Sequence, residues 1–486
     1  MKGYSLQDLL QEVGRYKLKG DWEGEVKGVA IDSRKVVKHG VFIAIDGSMS
    51  DGHAYVNDAL EAGAVIVICE KWPEHIRDKV AYVRVQNSRN VAGKISAAFY
   101  GNPSEKMKVV GVTGTNGKTT VATLLYNLFK EMGYSVGLIS TIEILVNEKK
   151  LSASLTTPDV VSLHETLALM IDAEVSHVFM EVSSHAVDQD RISGVDFDGG
   201  VFTNITRDHL DYHKTFKSYI SAKQKFFSSL SKSAFALVNV DDKNGEVMVQ
   251  NAQCAIFRYS FRELTDYKGK FLNSDSFALD LEFNRMRFIS SMTGKFNGYN
   301  LLAVFAVAHL LEEWDPNHVI ERISGLRGAR GRMEVVAEEP KIIVDYAHTP
   351  DALENVCAAL SSGKNEGRII VVVGCGGDRD KGKRPLMSIA GLKYAHQLIL
   401  TSDNPRGEDP TAIINDMKKG LSKLELRKCL EIVDRETAIK TAIAIATKKD
   451  TILIAGKGHE QYQEINGERF FFSDQQIVKD ILSKDI

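Results

Sequence analysis

The sequence predicts an α/β chain of three domains whose sheets are mostly parallel. Three observations carry that expectation. The chain has 486 residues, which at roughly 150 per domain suggests three domains. It also repeats one local order: a short continuous apolar run, a Gly-rich or polar turn, then a helical pattern. Finally, one of those turns, Gly111-Val-Thr-Gly-Thr-Asn-Gly-Lys-Thr-Thr120, has the make-up of a phosphate-binding loop. Apolar runs without alternation suit strands buried on both faces, as in parallel sheets covered by helices.

The elements follow in order. The first hundred residues hold short strands at Val29–Ile31, Val41–Ile45 and Val65–Ile68, and close at the turn-like Tyr100-Gly-Asn-Pro103. Lys108–Gly111 then leads into VTGTNGKTT, His177–Met180 into EVSSH, and Gly200–Phe202 into TNITRDH. A new series starts at Lys341: Lys341–Val344 leads into DYAHTP, Ile369–Val373 into GCGGDRDKGKR, Leu398–Leu400 into TSDNPRGEDP, and Ile452–Ile454 into AGKGHE. The expected domains are therefore 1–104, 105–333 and 334–486. Each polar cluster falls beyond the carboxyl end of its strand, where open parallel sheets bind ligands.

Composition excludes several function classes. Sixty-one Lys and Arg against 64 Asp and Glu leave a net charge of −3, which argues against a nucleic-acid coat and against nucleic acid as a partner. No run of ~18 apolar residues is present, so no membrane insertion is expected. The start lacks the basic-then-apolar layout of a signal peptide. The five cysteines, Cys69, Cys254, Cys357, Cys375 and Cys429, form no CxxC pair and read as reduced thiols of a cytoplasmic protein. Cys375 beside its glycines reads as a small packing residue, because no base is evident next to it.

The phosphate loop is the strongest mechanistic signal. Its helix is well patterned, with Val121, Leu124, Leu125, Leu128, Phe129 and Met132 on one face and Gly133 at the expected C-terminal cap. Gly114, Thr115, Asn116 and Gly117 precede Lys118, Thr119 and Thr120. A Gly-bearing turn and a helix N-terminus present N–H donors to phosphates, Lys118 adds a full charge, and Thr119 adds a hydroxyl for Mg²⁺. Val112 stands where the strict P-loop pattern has Gly. The loop alone leaves kinase, switch, motor and ligase open.

The rest of the chain, from Asp32-Ser-Arg34 to Gly456-Lys-Gly-His-Glu460, resembles the Mur ligase family, the ATP-dependent amide-forming enzymes of peptidoglycan synthesis. The resemblance implies an N-terminal uridine-nucleotide domain, a central P-loop ATPase domain and a C-terminal Rossmann-like domain. IDSRKV and GSMSDGHAYV resemble the uridine-binding stretches, which carries over Ile31, Ser33, Ser48, Met49 and Ser50. Thr156 and Thr157 match a threonine pair that contacts the muramoyl dipeptide. In EVSSHAVDQDRI, Glu181 matches a Mg²⁺ ligand, while Ser183, Gln189 and Arg191 match holders of that substrate. Lys223 matches a lysine that reacts with CO₂ to become a carbamate and helps to hold a second Mg²⁺; taken alone it reads as a solvated helix-face lysine. Asn204 and His209 match residues near nucleotide and metals, and His209 is implied to be catalytic with Lys118 and Lys223.

Asn300, Arg332, Asp345 and His348 complete the implied ATP set. Taken singly, Asn300 reads as a helix-start residue and Arg332 as a surface charge. His209 and His213 are spaced i, i+4 as in some zinc sites, but no Glu fills the HExxH position and no third ligand is evident. Asp403-Asn-Pro-Arg406 is similar to the signature of the diaminopimelate-adding branch, with Asp403, Asn404, Pro405, Arg406, Arg379, Gly456 and Glu460 as the implied amino-acid site. Arg406 suits the distal carboxylate, since its fork bonds carboxylates in bidentate fashion. The implied partners are ATP, UDP-N-acetylmuramoyl-L-alanyl-D-glutamate and meso-diaminopimelate, acted on by a monomer through an acyl phosphate. Leu155 and Ser140 depart from the family pattern near the dipeptide site. L-lysine as acceptor, a folylpolyglutamate-synthetase-like ligase and a regulatory P-loop switch are the alternatives.

Overall fold

The computed structural model describes residues 4–47, 50–151, 155–274, 278–361 and 367–483. The chain packs as two compact units. The first comprises residues 1–111, 132–200 and 225–234, and the second residues 112–131, 201–224 and 235–486. The segment expected to form the central domain contributes to both.

In the first unit, a five-stranded sheet runs in the order Lys17–Lys19, Ala81–Arg84, Ala64–Cys69, Gly40–Ile43, Val29–Ala30. Only the edge strand Lys17–Lys19 is antiparallel to its neighbour. The run Ala64-Val-Ile-Val-Ile-Cys69 is buried along its whole length. Ile66 and Ile68 enter a core with Leu9, Ile43, Val83 and Ile95, while Val67 joins Phe42, Ala59 and Tyr82 on the opposite face. Continuous hydrophobicity therefore marks two-sided burial, with about 1.5–3 kcal/mol gained per buried Val or Ile side chain. Strands Val136–Ile139 and His177–Glu181 pair in parallel in the same unit.

Helix Val160–Asp172 belongs to this unit too. Asp159 caps it by accepting from Val161 and Ser162 N–H. The helix buries His164, whose Nε2 bonds Ser193 O at 2.9 Å while Nδ1 has no partner. Burial pushes the imidazole down from 6.5 to about 4, and the bond to Ser193 offsets only part of this. A histidine whose folded value is depressed binds its proton preferentially in the unfolded chain. Its stabilising contribution is thus present above pH ~6.5 and is lost as pH falls towards 4. Between pH 7 and 5 the wild-type chain should lose about 2 kcal/mol from this group. The loss should be absent in His164→Gln, which keeps a donor for Ser193 O; urea unfolding at the two pH values checks it.

The second unit holds the phosphate-loop helix Lys118–Glu131. Val121, Leu124, Leu125, Leu128 and Phe129 are fully buried, and Gly133, just beyond it, has φ +89°. Strands Phe235–Asn239 and Ala255–Ser260 are parallel; Tyr267–Ser274, Leu279–Phe283 and Met286–Ser290 then form an antiparallel meander. The unit also contains a six-stranded sheet in the order Glu334–Glu338, Lys341–Asp345, Thr451–Ala455, Ile369–Val373, Gln397–Leu400, Cys429–Glu431. All neighbours are parallel except the first pair. Ile343, Val371, Val373 and Leu453 face one core; Ile342, Val344, Ile370 and Ile452 face the other. The loops DYAHTP, AGKGHE, GCGGDRD and TSDNPR consequently leave neighbouring strands at one end of the sheet.

Candidate active site

The phosphate loop is braced from behind. Gly114 and Gly117 have φ of +155° and +89°, conformations that glycine adopts without strain. A Cβ on Gly114 would overlap Thr203 Oγ1. Thr115 N–H donates to Asn204 O at 2.8 Å, and Asn116 N–H to Asn204 Oδ1 at 3.0 Å. Asn204 returns a bond from Nδ2 to Asn116 O, so it acts as a template for the loop. Lys118 Nζ curls over the turn, donating to Gly114 O at 3.0 Å and Thr115 O at 2.8 Å.

Lys223 corrects the solvated helix-face reading: its side chain is only 1% exposed. Nζ donates to Gly114 O at 2.8 Å and reaches Thr113 Oγ1 at 3.4 Å, and it lies 4.9 Å from the Tyr219 ring centre. Burial, reinforced by the charge of Lys118 and only partly opposed by Asp208, lowers its pKa well below the ordinary lysine value.

A cavity of about 590 Å³ adjoins the loop, lined among others by Gly117, Thr120, Asn300, Arg332, Asp345 and Asp351. Asn300 is buried inside helix Lys295–Leu311 rather than at its start, with Nδ2 on Asn297 Oδ1. Arg332 is no solvated surface charge. Its Nη2 donates to Thr119 Oγ1 at 3.1 Å, its guanidinium lies 4.4 Å from the Tyr346 ring centre, and its buried Nε has no partner. Asp345 accepts from Met333 and Ala347 N–H, both at 2.7 Å; burial nonetheless pushes its carboxyl above the usual range. A partnerless guanidinium nitrogen beside a glycine cradle fits a phosphate-bearing nucleotide.

His209 has φ +54°, and its Nε2 pairs with Asp208 Oδ2 at 3.2 Å; His348 Nε2 lies 3.7 Å from the same oxygen. Burial opposes the Asp208 charge, but His348, His209 and Lys383 outweigh it and hold the carboxyl well below the usual range. The His213 ring packs against Tyr212 and Tyr219.

In the first unit, Thr157, Glu181, Ser183, Gln189 and Arg191 form one network. Thr157 Oγ1 donates to Glu181 O at 2.8 Å, Ser183 N–H donates to Thr157 Oγ1, and Arg191 bonds Thr157 O and Gln189 Oε1. The buried Glu181 carboxylate accepts from Thr141 N–H at 2.7 Å, and Thr141 Oγ1 donates to Thr156 Oγ1. A carboxylate of this kind is a hard oxygen donor that suits Mg²⁺. A second cavity, about 950 Å³, is lined by Ile31, Ser33 and Ser50. Ser48 and Met49 lie outside the described residues.

At the shared end of the six-stranded sheet, Asp403, Asn404, Pro405, Arg406, Gly456 and Glu460 come together. A Cβ on Gly456 (φ +112°) would stand 2.7 Å from Asp403 Oδ2. Asn404 Nδ2 donates to Glu460 Oε2 at 2.9 Å, and Arg406 Nη1 to Gly377 O at 2.9 Å. Arg379 is exposed on the loop around Gly376. Cys375 is buried and its thiol is pushed up to about 12, chiefly by burial, which leaves no thiolate for chemistry.

Three residues went unread in the sequence. Lys457 is fully buried and donates to Asn404 Oδ1 and Glu460 Oε2 at 3.0 and 3.1 Å. Tyr346 stacks under Arg332 and donates to Glu460 Oε1 at 3.4 Å. Asp208 joins the two histidines. The signal for Lys457 and Tyr346 was their position inside AGKGHE and DYAHTP.

Together, the phosphate loop and the polar loops gathered at one sheet end define a P-loop protein of α/β architecture. Residues 25–100 match the Mur ligase family catalytic domain, residues 112–308 the Mur ligase middle domain, and residues 331–458 the Mur ligase glutamate ligase domain. The chain belongs to the Mur ligase family, the ATP-dependent ligases of peptidoglycan synthesis, and has three Mur-ligase-like domains. It is 47% identical over 484 residues to UDP-N-acetylmuramoyl-L-alanyl-D-glutamate--2,6-diaminopimelate ligase of Phocaeicola vulgatus, covering 99% of this chain and 100% of that one. A solved structure of a ligase with the same name superposes with a TM-score of 0.68 at 32% identity, covering 99% of both chains. MurF from Acinetobacter baumannii shares the fold, with a TM-score of 0.67 at 15% identity and 99% of both chains covered.

Proposed function

We propose that this Mur ligase adds meso-2,6-diaminopimelate to UDP-N-acetylmuramoyl-L-alanyl-D-glutamate at the expense of ATP. The observation that carries the choice of acceptor is the gathering of Asp403, Asn404, Arg406 and Glu460 at one sheet end, with Arg406 fixed beside Gly377. The 590 Å³ cavity takes the nucleotide, with Asn300, Arg332 and Asp345 in its lining, residues Gly114–Thr120 on its phosphates, and His348, beside Asp208, completing the set. The 950 Å³ cavity takes the uridine end through Ile31, Ser33 and Ser50. Thr156, Thr157, Ser183, Gln189 and Arg191 hold the dipeptide.

The reaction joins two anions before it joins an amine. The D-glutamyl γ-carboxylate attacks the γ-phosphorus of ATP, ADP leaves, and an acyl phosphate forms. Lys118 stabilises the charge that crowds the phosphoryl group, and Arg332, bonded to Thr119 Oγ1, adds a second cation. Thr119, Glu181 and Lys223 as its carbamate would hold Mg²⁺, which when bound neutralises further phosphate charge. The neutral amine of diaminopimelate then attacks the acyl carbon, phosphate leaves, and the nitrogen sheds its proton. His209, oriented by Asp208, lies on the nucleotide side of this chemistry. The monomeric chain works in the cytoplasm, a placement supported by its five free cysteines.

The test is ATP-dependent phosphate release with the UDP-dipeptide and either meso-diaminopimelate or L-lysine. Release with diaminopimelate is expected, and Arg406→Ala should raise its KM by about 100-fold, as loss of a charge-assisted fork predicts. Preference of the wild-type enzyme for lysine would sink this assignment of Arg406.

A further inference from the structure

Arg406 is held more elaborately than a lone substrate cation needs. Its backbone takes φ +51°, a costly conformation for a residue with a Cβ unless neighbours enforce it. The enforcing element is the hairpin of strands Tyr462–Ile465 and Glu468–Phe471, whose turn residues Asn466 and Gly467 have φ of +51° and +84°. Arg406 N–H donates to Glu464 O at 3.0 Å, and Asn466 N–H donates to Arg406 O at 2.7 Å. The hairpin also grips Asp403 and Asn404. Gln463 Nε2 donates to Asp403 O at 2.7 Å, and Glu464 N–H donates to Asn404 Oδ1 at 3.0 Å.

Side chains repeat the pairing. Glu464 Oε2 lies 3.3 Å from Arg406 Nε, both side chains being about one-fifth exposed, at 23% and 21%. Gly377 O takes Nη1. Gly376 leaves room, because a Cβ there would stand 2.9 Å from that nitrogen. The nearby Glu460 is committed elsewhere, to Lys457, Asn404 and Tyr346. A carboxylate and a guanidinium thus stand side by side, partly shielded, at the amino-acid end of the sheet.

We propose that Glu464 is a specificity-determining residue. It holds the Arg406 fork in register and takes the ammonium on the same carbon as the carboxylate that Arg406 binds. Such a pair of opposite charges is complementary to an acceptor whose far end is itself a zwitterionic α-amino acid. A far end bearing an ammonium alone would satisfy Glu464 and leave Arg406 unmatched, and inversion at the far carbon would exchange the two charges. The proposal rests on the assignment of Arg406 to the distal carboxylate made above.

The test uses the full-length enzyme, the UDP-dipeptide and saturating ATP, with meso-diaminopimelate, LL-diaminopimelate and L-lysine as acceptors. Glu464→Gln should raise KM for meso-diaminopimelate tenfold or more, leave kcat within about twofold and KM for ATP unchanged, and shrink the preference for the meso over the LL isomer. Glu464→Asp should restore part of the lost affinity. An unchanged KM in Glu464→Gln overturns the proposal, as does a parallel loss in kcat and in all KM values, which marks a structural role. If Arg406→Ala loses diaminopimelate while Glu464→Gln does not, this proposal fails alone. If Arg406→Ala leaves diaminopimelate use intact, the underlying assignment fails and this proposal falls with it.

Discussion

Lys118→Ala should lower kcat by about 10³-fold. Removing one preorganised donor from a developing anion costs about 10²–10³, and Lys118 brings a full charge to a step in which carboxylate and triphosphate converge. The two carbonyls it bonds, Gly114 O and Thr115 O, place its ammonium over the crown of the loop before any ligand arrives. Lys118→Arg should not restore the rate, because a planar fork cannot occupy a position built for a compact ammonium. Phosphate release with all three substrates measures the effect. A variant that is folded and keeps more than a tenth of the wild-type rate would refute the role.

Lys223→Ala should cost about 10²–10³ in turnover, and acetate or formate should recover part of it by supplying the missing carboxylate. The reasoning is electrostatic. A buried ammonium next to Lys118 is unfavourable, and burial with like charge lowers the Lys223 pKa well below the ordinary lysine value, which favours the neutral amine. By the reaction proposed above, the neutral form would add to CO₂ with release of one proton, giving a carbamate whose negative charge would pair with Lys118. Wild-type enzyme depleted of bicarbonate should lose activity and regain it on replenishment. Labelled bicarbonate should give a carbamate carbon signal that is absent in Lys223→Ala. Absence of both signal and rescue in folded protein would mean that the amine itself, bonded to Gly114 O, is the working group.

The sequence announced some of this architecture clearly and hid other parts for physical reasons. Runs such as Ala64–Cys69 and Ile369–Val373 were legible as strands because burial on both faces removes every polar position. The phosphate loop was legible because strand, glycines, Lys-Thr and amphipathic helix must be consecutive to work. Lys223 was not, since its burial depends on Tyr219 and on a loop about 110 residues earlier. Asp208 has no local pattern to betray it; it is defined by His209 and by His348, a partner that only the fold brings near. The hairpin Tyr462–Phe471 reads as an ordinary exposed ribbon, and only its bonds to residues 403–406 give it a place at the site. The antiparallel meander after Ser260 was also unread, its strands being short and interrupted by turns.

The 590 Å³ cavity that we propose takes the nucleotide bears on how the enzyme can be dissected or inhibited. Its wall is contributed on one side by Asn116, Gly117 and Asn300 and on the other by Asp345, Asp351 and Asn355, and Asn116 Nδ2 reaches Asp351 Oδ2 at 3.2 Å. A fragment ending at Met333 would retain the complete phosphate loop, yet half of the cavity would be missing and the cradle would lie open to water. ATP-site compounds screened on such a fragment would be selected against a surface that the whole enzyme never presents. Screening therefore belongs on the intact chain, where a ligand bridging Asn300 and Asn355 would work as a staple between the segments on either side of Met333.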